Sequence, residues 1–193
     1  MTWAGIDVGG VSKGFHVAVV GDEGIVVGGP QQIGGVEDTV AWLQDFEPKV
    51  VAVDSPCACA PDGERSREGE RGLARAVCGI RWTPEFAKLA GNPYYEWIEN
   101  GLALYRTLGT AEAQEGWEVI EVFPTASWTR WAGPRGKRTR AAWTRKAFEA
   151  LRLDGLPSRR LNQDDRDAVA AALTAKAYGS GDSDSFGEII VPK

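Results

Sequence analysis

The sequence predicts a single α/β domain in which helices flank a mixed β-sheet. Its 193 residues match the size of one domain. Short apolar segments with strand character occur near the N-terminus and again in the middle of the chain, and segments with helical periodicity lie between them. The composition, 43% hydrophobic and 25% charged, is typical of a globular protein and excludes a disordered or fibrous chain.

Five sheet strands are predicted, each an apolar run that ends at turn residues. The first three follow one another: Gly9-Gly10 closes the first strand, and the turn at 21–24 joins the next two into a β-hairpin. The fourth follows a helix, which is typical of a parallel strand covered on both faces. The predicted strands are 3–8, 15–20, 25–27, 50–53 and 117–123, with 189–191 as a candidate edge strand.

Helical periodicity identifies most of the remaining elements. Residues 36–46 repeat apolar side chains at helical spacing, and one or two helices span about 127–151. Asn162 is a good cap for a last helix that runs to about residue 178, and a loop is expected at 180–185. Residues 57–116 interrupt the alternation of strands and helices, and we interpret them as a lid or cap inserted into one domain after the fourth strand.

Basic residues are segregated along an otherwise acidic chain. The net charge of −5 by itself argues against a nucleic-acid partner. Residues 127–146 nevertheless carry seven basic residues and no acidic one, which leaves 15 basic and 27 acidic residues elsewhere, a net charge of −12. Such a local positive field governs polyanion binding better than total charge does. Trp128, Trp131 and Trp143 in this segment offer stacking faces for bases, although tryptophan more often packs in a core.

The N-terminus and the rare residues favour a cytoplasmic protein. The N-terminus lacks the basic and apolar regions of a secretory signal, and the longest small-apolar run, 168–173, is far short of a membrane span. Cys57, Cys59 and Cys78 cannot all pair, which suits a reducing compartment. The single histidine, His16, makes a His-rich zinc site or a His-dependent relay unexpected.

Acidic residues stand at corresponding places on several predicted elements. Asp7 ends the first strand, Asp54 ends the fourth and Glu121 lies in the fifth. Asp164 and Asp167 are three residues apart at the start of the last helix, so they share one helix face. Because functional groups gather at the carboxyl ends of parallel strands, we expect the Asp7 and Asp54 side chains to lie close together.

This set of carboxylates predicts a divalent-metal site. Like charges raise one another's pKa unless a cation binds, and Mg²⁺ or Mn²⁺ takes carboxylate oxygens together with water and phosphate. Two such ions can activate a water and stabilise the leaving oxygen of a phosphodiester without a histidine. Each acid has a structural explanation when taken singly, such as a helix start for Asp164 and a turn for Asp54, but the set favours the metal site.

The chain resembles the domain-of-unknown-function family 429, described as predicted nucleases of ribonuclease H-like fold. The matching motifs are spread over nearly the whole chain in the family's order, and the ordered set is fairly specific. They are Gly5-Ile6-Asp7, 51–56, Thr83-Pro84, 119–124, 164–168 and Ile190-Val191-Pro192. The start of the last helix also resembles the metal-binding helix of bacterial Holliday-junction resolvases, which share that fold.

The resemblance implies a ribonuclease H-like, five-stranded mixed sheet. In that sheet the hairpin strands extend outward from strand one, and strands four and five lie on its other side. The metal ligands that it implies are Asp7, Asp54 and Asp167 and, more weakly, Asp164 and Glu121. Family members often have a histidine or glutamate just after the position of Glu121-Val122, whereas residues 123–125 of this chain are Phe, Pro and Thr.

The leading hypothesis is a nuclease that depends on Mg²⁺ or Mn²⁺, acts on DNA or RNA and does not contact membranes. Its catalytic and metal-binding residues would be the acids above, with Glu121 in a supporting catalytic role. Candidate substrate-binding residues are Arg65 and Arg71 in the lid and Arg130, Arg138, Arg140, Arg145 and Lys146 in the basic segment. The alternative explanation for the lid arginines is that they form i,i+3 and i,i+4 ion pairs with neighbouring glutamates.

Two other functions remain open. A strand followed by Asp-Gly-Gly and a β-hairpin also resembles the opening of sugar kinases and actin-like ATPases, which would make the chain a phosphotransferase. Those proteins need a second half with its own phosphate-binding hairpin, for which 193 residues leave no room. The third hypothesis is a non-catalytic nucleic-acid-binding module that has kept the fold and lost the chemistry.

Overall fold

A computed structural model describes residues 1–110 and 116–193. Its strands are β1 (Thr2–Val8), β2 (Phe15–Gly21), β3 (Val26–Ile33), β4 (Val50–Asp54), β5 (Glu118–Val122), β6 (Ser183–Phe186) and β7 (Ile189–Pro192). Its helices are α1 (Val36–Gln44), α2 (Glu68–Ala76), α3 (Phe86–Leu89), α4 (Glu96–Leu108), α5 (Pro124–Ala132), α6 (Arg140–Leu151) and α7 (Gln163–Gly179). A 3₁₀ turn at Pro93–Tyr95 leads into α4.

The strands form one mixed sheet in the order β3-β2-β1-β4-β5-β7-β6. β2 and β3 extend antiparallel from one side of β1, and β4 and β5 lie parallel on its other side. The predicted arrangement of the first five strands is therefore confirmed. The C-terminal part of the prediction is wrong: 189–191 is not the edge strand, because β7 pairs in parallel with β5, and half of the predicted loop at 180–185 forms β6, the edge itself.

Each strand buries alternate side chains on opposite faces of the sheet. The face that bears Trp3 and Ala52 packs against α5, α6 and α7. The other face, which bears Ile6 and Val53, packs against α1 and α4. This alternation decides which of the predicted acidic residues can meet, because side chains on the two faces point away from each other.

The backbone of α7 lies directly on β1 because Gly5 has no side chain. A Cβ at Gly5 would lie 2.1 Å from the amide nitrogen of Ala172 and 2.3 Å from the carbonyl oxygen of Ala168. The alanine-rich face of α7, including Ala168 and Ala172, is completely buried. The small side chains at these positions let the helix approach the sheet, and this contact sets the depth of the α7 N-terminus beside β1.

Residues 57–110 hold α2, α3 and α4, the elements between β4 and β5. The predicted C-terminal part of the insertion includes residues 111–115, which lie outside the described residues. Within the described residues, no helix is long and apolar enough to cross a membrane.

Candidate active site at the carboxyl edge of the sheet

Asp7 and Asp54 lie side by side at the carboxyl ends of two parallel strands. The register of β1 and β4 makes them direct partners, and both belong to the face of the sheet that α7 covers. Their carboxyl groups are close enough to share a hydrogen bond. The parallel register of β1 and β4 therefore places Asp7 and Asp54 close together, as expected from the sequence.

The pKa values of both carboxyls are raised. Burial is the largest cause for Asp7, followed by the negative charges of Asp54 and Asp167. Burial and the charge of Asp167 raise the pKa of Asp54 to about 7, although Arg140 acts in the opposite direction. A shared proton between the two acids therefore persists toward neutral pH, and a bound cation is the other way to offset their repulsion.

Asp164 and Asp167 face the same cavity from the start of α7. The cavity measures about 360 Å³. Asn162 caps the helix, accepting a 2.7 Å hydrogen bond from the amide of Asp165, as the sequence predicted. The acidic and basic side chains that line the cavity are Asp7, Asp54, Asp164, Asp167, Lys13, His16, Arg81 and Arg140.

Asp167 is held by three donors. Trp128 Nε1 donates to it at 2.8 Å, Gln163 Nε2 at 2.9 Å and Arg140 Nη2 at 2.7 Å. Burial raises the pKa of Asp167, and Arg140, Gln163 and Trp128 oppose that shift. Asp167 itself is 1% exposed, so its carboxylate is an integral part of the packing between α5, α6 and α7.

The donor chemistry of the cavity fits a hard divalent cation. Asp7 and Asp54 offer oxygen ligands that compete for one proton, and a cation of that class would replace the proton. As the side chains stand, however, the described residues contain no group of three or more Asp, Glu, His or Cys side chains that could hold a metal ion. Asp167 faces Arg140 instead, so Asp7 and Asp54 are the centre of the candidate site and its metal remains a prediction.

Glu121 belongs to a different environment. It is paired in the sheet with Val53, and the alternation along β5 turns it away from the face that carries Asp7 and Asp54. Its carboxylate forms a bidentate ion pair with Arg67 and accepts a 2.9 Å hydrogen bond from the amide of Cys57. Glu121 does not line the acidic cavity, but it lies beside Asp54 on a second cavity described below, and its charge helps to raise the pKa of Asp54; its predicted catalytic role stays a prediction.

Arg67 and Glu70 were not found by sequence reasoning. Arg67 is 5% exposed and also donates to Glu70, which is itself fully buried and accepts hydrogen bonds from the amide and hydroxyl of Thr83. In sequence both residues are hidden among alternating charges that resemble a solvated helix. The network ties α2 and the Thr83-Pro84 motif to β5 beneath the site.

A second and larger cavity, of about 820 Å³, opens beside Asp54. Trp97, Arg81 and Arg140 line both this cavity and the acidic one. Trp97 is half-buried at the start of α4. The sequence did not single out Trp97 as a site residue. What marks it in the sequence is that its neighbour Ile98 fits the buried helical pattern and Trp97 does not.

The predicted substrate-binding basic residues are dispersed. Arg71 binds Glu64 and Ser66 within its own segment, Arg130 pairs with Asp184 at 2.8 Å, and Arg138 donates to the backbone of its own loop. Arg65 and Lys146 are exposed. Of the seven predicted residues, Arg140 reaches the acidic cavity, and Arg145 lines another cavity described below.

The tryptophans of the basic segment are mainly packing residues. Trp128 is fully buried and Trp143 is 1% exposed, and both belong to the core beneath α7. The stacking interpretation is therefore wrong for these two, and the packing alternative is confirmed. Trp131 is half-buried against Trp128, with the ring centroids 5.5 Å apart.

Comparisons with known proteins identify the family and the fold. A sequence model of the family described as "Protein of unknown function (DUF429)" matches residues 5–188, so the chain belongs to that family. No curated protein matches the chain. Two solved structures of RuvC from Thermus thermophilus, one of them in complex with a Holliday junction substrate, are 20% and 19% identical to it, each with a TM-score of 0.50. Both matches cover 94% of this chain, and 97% and 96% of the RuvC chains respectively. The predicted family and the ribonuclease H-like fold are confirmed.

Proposed function

We propose that this member of the DUF429 family is a divalent-metal-dependent nuclease that hydrolyses phosphodiester bonds in nucleic acid. The observation that carries the proposal is the pairing of Asp7 and Asp54 at the carboxyl edge of the sheet, with Asp164 and Asp167 on the same cavity. The likeness to RuvC, which holds a Holliday junction substrate in one of the solved structures, supports nucleic acid as the partner.

Asp7 and Asp54 would hold Mg²⁺ or Mn²⁺, with Asp164 and Asp167 completing the negative field around it. The bound ion would supply an activated water and charge stabilisation at the leaving oxygen of the phosphodiester. Asp167 positions its neighbours as well, since its carboxylate is fixed by Trp128, Gln163 and Arg140. Glu121 contributes indirectly, because its ion pair with Arg67 anchors the inserted segment beside the site.

Three residues at the junction of the two cavities would receive the substrate. Arg81 and Arg140 present positive charge beside the acidic pair and would contact the phosphate backbone. Trp97 offers a half-buried aromatic face on which an unpaired base can stack. A strand bound there would lie across Asp54 with its phosphates toward the arginines.

A non-catalytic nucleic-acid-binding module is the second candidate. It is favoured by the ion pair between Arg140 and Asp167 and by the lack of a three-ligand metal group among the described side chains. In that case Arg140 would permanently neutralise the acidic cluster, and nucleic acid would bind without being cut.

The test compares the wild-type protein with Asp7→Asn and with a matched control, Asp38→Asn, which lies exposed on α1 behind the sheet. Branched, duplex and single-stranded DNA and RNA are incubated with Mn²⁺ or Mg²⁺, and Mn²⁺ binding is measured by calorimetry. We expect wild type and D38N to cleave at least one substrate and D7N to be slower by about 100-fold or more. Equal cleavage by D7N and wild type would overturn the assignment, and binding without cleavage would establish the binding module.

A further inference from the structure

A cavity of about 400 Å³ between α6 and the start of α7 is lined by five arginines. Glu149 is the one acidic residue of its lining, as far as the described residues show, and Phe148 and Leu156 contribute an apolar wall. We call it the arginine cavity. Its guanidinium groups belong to Arg145, Arg152, Arg159, Arg160 and Arg166.

The positive charge of this cavity is only partly neutralised by the protein. Arg159 is bound by the buried carboxylate of Asp165. Arg145 approaches Glu149 at 3.9 Å, but both side chains are more than half exposed, so this pair contributes little. Arg152 and Arg160 are exposed and form no ion pair among the described residues, so their charges are available to an anionic ligand.

Arg166 shows that like charges face one another across the cavity. It is 7% exposed, and its hydrogen bonds go to neutral acceptors: the Leu161 carbonyl at 2.8 Å, Gln163 Oε1 at 3.1 Å and Thr144 Oγ1 at 3.3 Å. The positive charges of Arg145 and Arg160 act on Arg166, although the carboxylates of Asp167 and Asp165 partly offset them. A ligand that brings negative charge into the cavity would relieve this repulsion.

The arginine cavity lies along the two helices that also form the acidic site. On α6, Arg140 reaches Asp167, and Arg145 follows five residues later, about 8 Å along the helix axis. On α7, Arg166 directly precedes Asp167. Arg145 lies about 140° around α6 from Arg140, so the arginine cavity continues around the helix from the acidic site. Gln163 joins the two sites, because its Oε1 accepts a hydrogen bond from Arg166 and its Nε2 donates one to Asp167 at 2.9 Å.

We propose that the arginine cavity binds the phosphates of a nucleic-acid strand next to the position at which the acidic site would cut it. The identity of the strand rests on the proposed function. Arg145 and Arg160 would contact phosphate oxygens, and Phe148 and Leu156 would lie against a sugar or base. A strand is favoured over a free nucleotide because the guanidinium groups of the lining outnumber the phosphates of one small ligand.

The experiment measures binding of fluorescein-labelled single-stranded and duplex DNA and RNA by anisotropy over a series of salt concentrations. All proteins carry Asp7→Asn so that cleavage does not interfere. The variant is Arg145→Glu with Arg160→Glu, two exposed positions whose replacement leaves the core intact. The conservative pair R145K and R160K is the rescue. Arg106→Glu, exposed on α4 across the sheet, is the matched control.

We expect the double glutamate variant to bind about tenfold more weakly or worse, and to lose about 1.8 units of the slope of log K against log salt on duplex and about 1.4 on single strands, since two phosphate contacts are removed. The lysine pair and R106E should retain both affinity and slope. Equal affinity and slope for the glutamate variant and R106E would overturn the proposal, as would weakened binding of a free mononucleotide alone.

The outcome separates this inference from the proposed function. Cleavage is measured separately, with Asp7 retained in every protein. If wild type cleaves and R145E/R160E in the otherwise wild-type chain cleaves with unchanged KM, the arginine cavity is not a substrate site and the nuclease stands. If strands bind through the cavity but wild type does not cleave with either metal, the cavity assignment stands and the nuclease fails.

Discussion

Arg140 on α6 donates a 2.7 Å hydrogen bond to Asp167 on α7 and places a fixed positive charge opposite Asp7 and Asp54. Although burial acts in the opposite direction, the three carboxylates raise the pKa of Arg140, so this charge persists at any accessible pH. The guanidinium therefore offsets the mutual repulsion of these carboxylates. A divalent cation would be attracted to the same carboxylates.

Removal of this charge should favour metal binding. In Arg140→Gln we expect the affinity for Mn²⁺ at pH 8 to rise by about tenfold, because a competing cation is gone. The unfolding free energy of the metal-free protein should fall by about 1–2 kcal/mol, less than for a fully buried pair because Arg140 is 45% exposed. Calorimetric titration and chemical denaturation measure the two effects. Arg138→Gln removes only hydrogen bonds to the backbone of its own loop and should change neither quantity. An unchanged Mn²⁺ affinity in R140Q would show that Arg140 does not compete with the ion.

The metal-free protein should lose stability as the pH rises from about 4 to about 7. The pKa of Asp54 is about 7 in the folded protein against an ordinary 3.8, so the folded state binds more protons than the unfolded state over this window. The contribution is fully present below pH 4 and falls by at most about 1.4 kcal/mol per pH unit for each proton. Thermal denaturation with a chelator should show this decline in wild type and a flatter profile in Asp54→Asn. Burial raises the pKa of Asp165, but Arg159 and Asn162 lower it by more. Asp165 therefore affects the pH dependence of stability only below this window. Identical profiles for the two proteins would contradict the raised pKa.

Gly5→Ala should be severely destabilising. The added methyl group would meet the backbone of Ala168 and Ala172, which cannot move aside without displacing α7. We expect a loss of about 3 kcal/mol or more in unfolding free energy, above the usual cost of overpacking. Gly34→Ala, where the structure leaves open space, is the matched control and should change stability little. A G5A protein as stable as G34A would mean that α7 does not rest on β1.

Glu121→Gln separates structural from catalytic acids. Arg67 would remain buried with only Glu70 as a carboxylate partner, so the unfolding free energy should fall by about 2–3 kcal/mol. Mn²⁺ affinity should stay within about threefold of wild type, because Glu121 lies on the other face of the sheet. Denaturation and calorimetry on E121Q beside D7N give the comparison. A loss of Mn²⁺ affinity as large as that of D7N would restore Glu121 to the metal site.

The sequence was sufficient for the parts of the fold that depend on periodicity. The first five strands and the pairing of Asp7 with Asp54 follow from apolar runs that end in polar residues at equivalent strand ends. The α7 cap at Asn162 follows from the capping preference of asparagine. The face of the sheet on which Glu121 lies could not be read from its apolar run, because the strand register depends on where pairing begins.

Tertiary partners were beyond the reach of the sequence. Arg67 stands among alternating charges that resemble a solvated helix, and only the fold reveals that its side chain turns inward to Glu121. Likewise the basic segment reads as one patch, whereas α6 divides it between the acidic cavity at Arg140 and the arginine cavity at Arg145. β6 was missed because Ser183–Phe186 has the composition of a loop and gains strand structure by pairing with β7.

The bare backbone contact between β1 and α7 limits how ion preference at this edge can be re-engineered. With the helix already touching the strand at Gly5, neither partner can be brought nearer, and any bulk added between them pushes the helix off. The spacing of the carboxyl oxygens can then be tuned only through side-chain reach, by exchanging aspartate for glutamate at position 7 or 167. A variant library aimed at larger or smaller cations should vary chain length at those two positions and leave the glycine untouched.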